Sequence, residues 1–221
     1  MSPKPLKKRI RRTKDESRDL ILSQAVELFS KRGFSETSFQ AIADACGISH
    51  SAVLHHFGSK EKLGFEAAGF VLARNRVYVD SALSDEQGAR ERLENHFRRN
   101  LAWAREQPAM ARTLVHFYYQ ASVSEGASET YALLLETARG RVQSHLMAAE
   151  REGLIAPGQD LKLLAEILYD ALVGSFVNFM ATRSKKAPLA EFERKWSLTL
   201  ARLAGLRLRE DDGRNNPRSR S

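Results

Sequence analysis

The sequence predicts an all-α fold of about nine helices, with a small helix-turn-helix unit in front of a larger helical body. Three observations carry this. Apolar residues recur at helical spacing from Ile21 to Leu203, nothing beyond Leu63 alternates with the period of a strand, and 13 glycines and 6 prolines in 221 residues are too few for a turn-rich β protein.

The elements follow in order. Residues 1–14 lack apolar periodicity and read as a flexible basic arm. Ile21, Ala25, Leu28 and Phe29 lie on one face of a first helix, which begins near Asp15 and stops at Gly33. In Thr37-Ser38-Phe39-Gln40 either hydroxyl can cap a helix, and Gln40 stands three after Thr37 as a capping box requires. The short helix that follows, through Ile42, Ala43 and Ala45, ends at Gly47. Ser49 caps a second short helix, His50 to Phe57. Two short helices across a glycine-containing turn form the helix-turn-helix pattern. Ser59 caps a longer helix marked by Phe65, Ala68, Leu72 and Val79. Leu93, Phe97, Leu101 and Ala104 mark a fifth helix before Pro108, and Met110, Leu114, Phe117 and Ala121 a sixth. Tyr131 to Ala149 is a seventh, residues 160–184 an eighth, and Phe192, Trp196, Leu200 and Leu203 a ninth. The polar stretch 207–221 is expected to be disordered. The expected divisions are an arm at 1–14, a helix-turn-helix domain at 15–63, a helical domain at 64–206 and a tail at 207–221.

The net charge of +8 is concentrated at one end. Lys4, Lys7, Lys8, Arg9, Arg11, Arg12 and Lys14 precede the first acid, Asp15, and removing these seven charges leaves +1 for the rest. A basic arm on a nearly neutral body suggests a polyanion partner. No apolar stretch follows the arm, so it does not read as a secretion signal. Residues 161–180 have the length of a membrane span, but Lys162, Glu166 and Asp170 would put charges in lipid at helical spacing, so no membrane partner is expected. Cys46, the only cysteine, allows no intrachain disulfide and no cysteine-based zinc site; it reads as a small buried hydrophobe in a cytoplasmic protein. The six histidines lack metal-binding spacing, and no phosphate-binding glycine loop or nucleophile motif is present. No metal, cofactor, catalytic residue or enzymatic activity is therefore expected.

Residues 21–63 follow a longer pattern: Ile21-Leu22, Ala25, Leu28-Phe29, Gly33, Thr37-Ser38, Ile42-Ala43, Gly47-Ile48-Ser49, His56-Phe57, Lys60-Glu61 and Leu63. This register resembles the DNA-binding domain of the TetR (tetracycline repressor-like) family of transcriptional regulators. The resemblance implies that the second short helix lies in the major groove of double-stranded DNA, with His50, Ser51, Ala52 and His55 toward the bases. It implies phosphate contacts at Ser38, His56 and Lys60, and Thr37, Gln40, Ser49 and Leu54 complete the expected DNA-binding set. Two positions depart from the family. Ser51 replaces a usual glycine, and Leu54 replaces a tyrosine that would bind a phosphate, so one backbone anchor is missing and the arm is the natural offset.

The resemblance also implies a homodimer and a small-molecule effector. Dimerisation is expected through the last two helices, at Leu168, Leu172, Phe176, Phe192, Trp196, Leu200 and Leu203, because the eighth helix is apolar on more than one face. Ile167, Ala171 and Gly174 form its other apolar face. The effector cavity is expected among the fourth to seventh helices, lined by Phe97, Leu101, Leu114, Phe117, Tyr118 and Tyr131. His96, Asn100, His116 and Gln120 are its polar candidates. No carboxylate falls on these faces, which favours a neutral or anionic ligand. The expected function is a dimeric, nucleoid-associated repressor released from a palindromic operator by a small molecule. The alternative is a DNA-binding protein that acts through a protein partner without an inducer.

Overall fold

The computed structural model describes residues 13–84, 86–123, 125–181 and 189–203. Nine helices occupy the described residues, in the order α1 (Lys14–Arg32), α2 (Phe39–Cys46), α3 (His50–Phe57), α4 (Lys60–Asp80), α5 (Ala89–Glu106), α6 (Pro108–Val123), α7 (Glu125–Arg151), α8 (Leu161–Ala181) and α9 (Leu189–Leu203). The arm up to Arg12 and the tail from residue 207 lie outside the described residues.

The first helix starts one residue before the expected Asp15 because Thr13 and Glu16 form a capping box, the hydroxyl accepting from the Glu16 N–H and the carboxylate from the Thr13 N–H. At α2 the expected box at Thr37 and Gln40 does not form. Ser38 is the cap, accepting from the Ala41 N–H at 3.1 Å. Thr37 is fully buried and donates to the Gly33 carbonyl at 2.8 Å, while Gln40 donates to Asp44 at 2.7 Å. Gly47 then turns the chain at φ 66°, a conformation in which any other L residue would be strained, and Ser49 restarts it as the cap of α3.

Two hydrophobic cores hold the helices, and their boundary does not fall at Leu63. The first joins Ile21, Ala25 and Phe29 of α1, Ile42 of α2, and Val53 and Phe57 of α3 to Leu63, Ala67 and Val71 of α4. It continues into Trp103 of α5, Leu114 of α6 and Phe176 of α8. The second gathers Leu93 and Phe97 of α5, Val142 and Leu146 of α7, Leu164 and Leu168 of α8, and Trp196 and Leu200 of α9. By length and composition α8 is the one described helix able to cross a membrane, yet Leu164, Leu168, Leu172 and Phe176 bury one of its faces inside this protein.

Five residues expected at a dimer seam are therefore interior. Leu168, Leu172, Phe176, Trp196 and Leu200 range from 0 to 7% exposed within the subunit. Trp196 stacks on Phe97 with ring centroids 4.1 Å apart and planes within 10°. The side chains of Phe192 and Leu203 lie outside the described residues. The physical reason is that α9 closes the subunit's own second core against α5, which consumes the apolar faces that sequence periodicity assigns to a partner. Trp196→Ala should accordingly destabilise the fold by about 3–5 kcal/mol. Urea denaturation at two protein concentrations checks this: a loss that disappears when the protein is diluted would return Trp196 to a subunit interface.

Candidate functional site

The α2–α3 pair presents a surface of short polar and aromatic side chains. Val53 and Phe57 are fully buried, which fixes the rotation of α3 and leaves His50, Ser51, Leu54 and His55 on its outer face, with Leu54 45% exposed. Positions 50 and 54, and 51 and 55, are each one helical turn apart, so these four form a contiguous patch. Ala52 is partly covered. Ser49 is engaged as the cap and lies 2.9 Å from the Ser51 hydroxyl. Thr37 is removed from the candidate DNA-binding set, because its hydroxyl is spent inside the core.

The two flanking basic residues are held differently from what a free phosphate contact would need. Lys60 donates to the Ser35 carbonyl at 2.8 Å and sits 4.9 Å from the centre of the Phe34 ring. His56 is partly buried; burial first, then the neighbouring positive groups His55, Arg18 and Lys14, hold its pKa below 6.5. Arg18, which sequence reasoning passed over, organises this corner. It pairs with Glu66 of α4, donates to the His56 carbonyl at 3.3 Å and lies 4.8 Å over the Phe57 ring, so one guanidinium ties α1, α3 and α4 together. A basic residue in the second turn of α1 with an acid in α4 is no local motif, so nothing in the sequence flags the pair.

Between Gly69 and Arg76, α4 borders a cavity of about 260 Å³. His96, Asn100, Leu114 and Tyr118 line it as expected, and α8 closes it with Tyr169, Leu172, Val173 and Phe176. The other six expected lining residues do not. Phe97 is turned to Trp196, and Leu101 is packed away in the interior. Phe117 belongs to a smaller cavity of about 40 Å³, shared with His116 and Gln120. Tyr131 packs edge-on against Phe117 and Tyr118. In each case the residue lies on the correct helix, and its rotation about the helix axis is what periodicity left undetermined. Unexpected lining residues are Arg76, Trp103 and Arg141, and no carboxylate lines the cavity among the described residues.

Polar groups in this cavity are largely uncharged. Burial pushes the Tyr118 phenol well above its ordinary range and Tyr169 up to about 12, so both stay protonated. Burial, with His145 and Arg141 nearby, holds His96 well below 6.5, and its Nδ1 has no hydrogen-bond partner. The sign of the resulting pH effect follows from proton counting. Between the ordinary 6.5 and the lower folded value, the unfolded chain binds a proton at His96 that the folded chain does not. Stability is therefore present above about pH 6.5 and falls as pH drops below it, by at most about 1.4 kcal/mol per pH unit for one histidine. His96→Gln should flatten the stability profile between about pH 6.5 and 5. A variant whose slope equals that of the unmodified protein would show that His96 takes up its proton without unfolding.

With this geometry in place, comparisons with known proteins become informative. Residues 21–67 match the family model of bacterial regulatory proteins, tetR family. An uncharacterised helix-turn-helix transcriptional regulator of Bacillus subtilis, YerO, is 34% identical over 74 residues, which span 34% of this chain and 26% of that protein. The nucleoid occlusion factor SlmA of Aliivibrio fischeri is 25% identical over 204 residues, covering 86% of this chain and 97% of its own. The crystal structure of a TetR transcription regulator from Haloarcula marismortui superposes with a TM-score of 0.73 at 18% identity, covering 86% of this chain and 97% of that one. The matched residues run from the buried face of α1 through α2 and the exposed α3 to the first turns of α4, where α4 still belongs to the first core. The chain is a DNA-binding transcriptional regulator of the tetR family.

Proposed function

We propose that the chain is a ligand-responsive repressor that binds a palindromic operator as a dimer in the cytoplasm and is released by a small molecule. One observation supports this reading: α3, which carries the exposed patch, shares a core through Val53 and Phe57 with Leu63 and Ala67 of α4, and the 260 Å³ cavity is lined further along the same uninterrupted helix, from Gly69 to Arg76. A two-fold dimer must hold its recognition helices about 34–36 Å apart to meet successive major grooves. A ligand that prefers a shifted α4 opposes that spacing, and DNA must weaken the ligand by the same factor.

Selection of genomic fragments by the purified protein, with and without small metabolites, tests the reading. An inverted-repeat site should emerge, and His55→Ala together with Ser51→Ala should cost roughly 1–3 kcal/mol of discrimination per lost base contact. If those variants weaken random and selected DNA alike, α3 contacts only the backbone.

A second reading, in which the DNA-bound protein acts through a protein partner with no inducer, is favoured by the similarity to a nucleoid occlusion factor over most of both chains. Fragment binding that no metabolite alters would support it over the first.

For the dimer, the seam moves to the outer face of α8. Leu163 and Ile167 are 53% and 43% exposed, and Gly174 and Asn178 continue their row, while Leu198 of α9 is 50% exposed. Ile167→Asp with Leu198→Asp should yield a folded monomer, read by sedimentation, because it puts charge into an apolar contact without touching either core. An unchanged sedimentation coefficient would locate the contact elsewhere.

A further inference from the structure

Asp80, the last residue of α4, stands between two arginines. Arg76 lies one turn earlier with its Nε 3.4 Å from the carboxylate, and Arg141 of α7 donates to the same carboxylate through Nη2. Both arginines line the cavity, and Asp80 does not. Two guanidinium charges against one carboxylate leave the wall one positive charge in excess. Beside them are the neutral His96 imidazole, 4% exposed with an unpartnered Nδ1, and the phenols of Tyr118 and Tyr169. Asn75, Asn100 and Thr137 add neutral polar groups, and the remaining lining is apolar, with Leu72, Trp103, Leu172 and Phe176. The cavity thus combines an excess of positive charge with hydrocarbon surface.

We propose that the cavity takes a small amphipathic carboxylate whose head group displaces Asp80 from Arg141, and that this exchange of carboxylates transmits occupancy to α4. The binding step stands alone; its consequence at DNA rests on the repressor reading above. Arg141 has only 23% of its side chain exposed, and stripping it of Asp80 without replacement would leave a largely desolvated charge unpaired. An incoming carboxylate supplies the replacement. The other attachment of this end of α4 survives the exchange: the Tyr78 hydroxyl donates to Glu106 of α5 at 2.8 Å, and Arg99 lies 3.9 Å over the Tyr78 ring. Tyr78 becomes the pivot, and α7 the support that is released. The volume of 260 Å³ equals about nine water volumes of ~30 Å³, which suits a body of roughly ten heavy atoms.

Octanoate, with octanol and octylamine as its uncharged and cationic counterparts, tests this on the full chain. Trp103 lines the cavity, and its fluorescence in a Trp196→Phe background reports binding without DNA. Octanoate should change the signal saturably, octanol at least about tenfold more weakly, and octylamine not at all. Asp80→Asn should bind octanoate at least about fivefold tighter and hold operator DNA more weakly when no ligand is present, whereas Arg141→Gln should lose octanoate. Octanol binding as tightly as octanoate, or no saturable binding from hexanoate to decanoate, would overturn the proposal on the otherwise unmodified protein. Asp80→Asn binding no tighter would overturn the exchange. Carboxylates that bind but leave operator occupied would count against the repressor reading while the site stands. Operator released only by an uncharged ligand would do the reverse.

Discussion

The constraint on which the rest of the structure depends is that α4 must satisfy two neighbourhoods with one unbroken helix. It supplies Leu63, Ala67 and Val71 to the core that seats α3, and Val79 is buried near its far end. A rigid rod of 21 residues spans about 30 Å, so a small tilt at the cavity becomes a larger displacement at α3. The Arg18 guanidinium sharpens this coupling. By holding Glu66 of α4 and the His56 carbonyl together, it makes α3 follow α4 instead of sliding on it. A partly exposed ion pair of this kind contributes little stability alone, and its effect here is to fix a geometry.

Most of the fold was legible in the sequence because helix boundaries are local. Ser38, Ser49 and Ser59 each cap a helix within the stretch where capping residues stand, and Gly47 turns the chain where a left-handed residue is needed. Which of Thr37 and Ser38 caps α2 is not legible because two adjacent hydroxyls compete, and the outcome depends on which one the Gly33 carbonyl takes. The faces of α8 and α9 were not legible for a different reason. A helix apolar on two sides does not say which side meets its own subunit, and Leu168 and Ile167 are indistinguishable by residue type although one is fully buried and the other 43% exposed. The same limit explains the cavity: Phe97 and His96 are adjacent on α5, and only the placement of α9 decides that the phenyl ring meets Trp196 while the imidazole edges the cavity.

Under the proposed function, the charge distribution separates recognition from affinity. The outer face of α3 presents His50, Ser51, Leu54 and His55 and carries no lysine or arginine. Lys60 is occupied by the Ser35 carbonyl, and burial and neighbouring cations disfavour the charged form of His56. A surface of this kind reads base edges through short contacts, and it contributes few of the fixed cations that release counterions from DNA. The strong cations lie instead in the sequence before Thr13, and the root of that segment is close by, because Lys14 is near enough to His56 to depress its pKa. Leu54, where the resemblance implies a phosphate-binding tyrosine, is consistent with this division: in the proposed DNA-binding role an apolar side chain at the patch suits a thymine methyl, and phosphate neutralisation would fall to residues outside the helix-turn-helix.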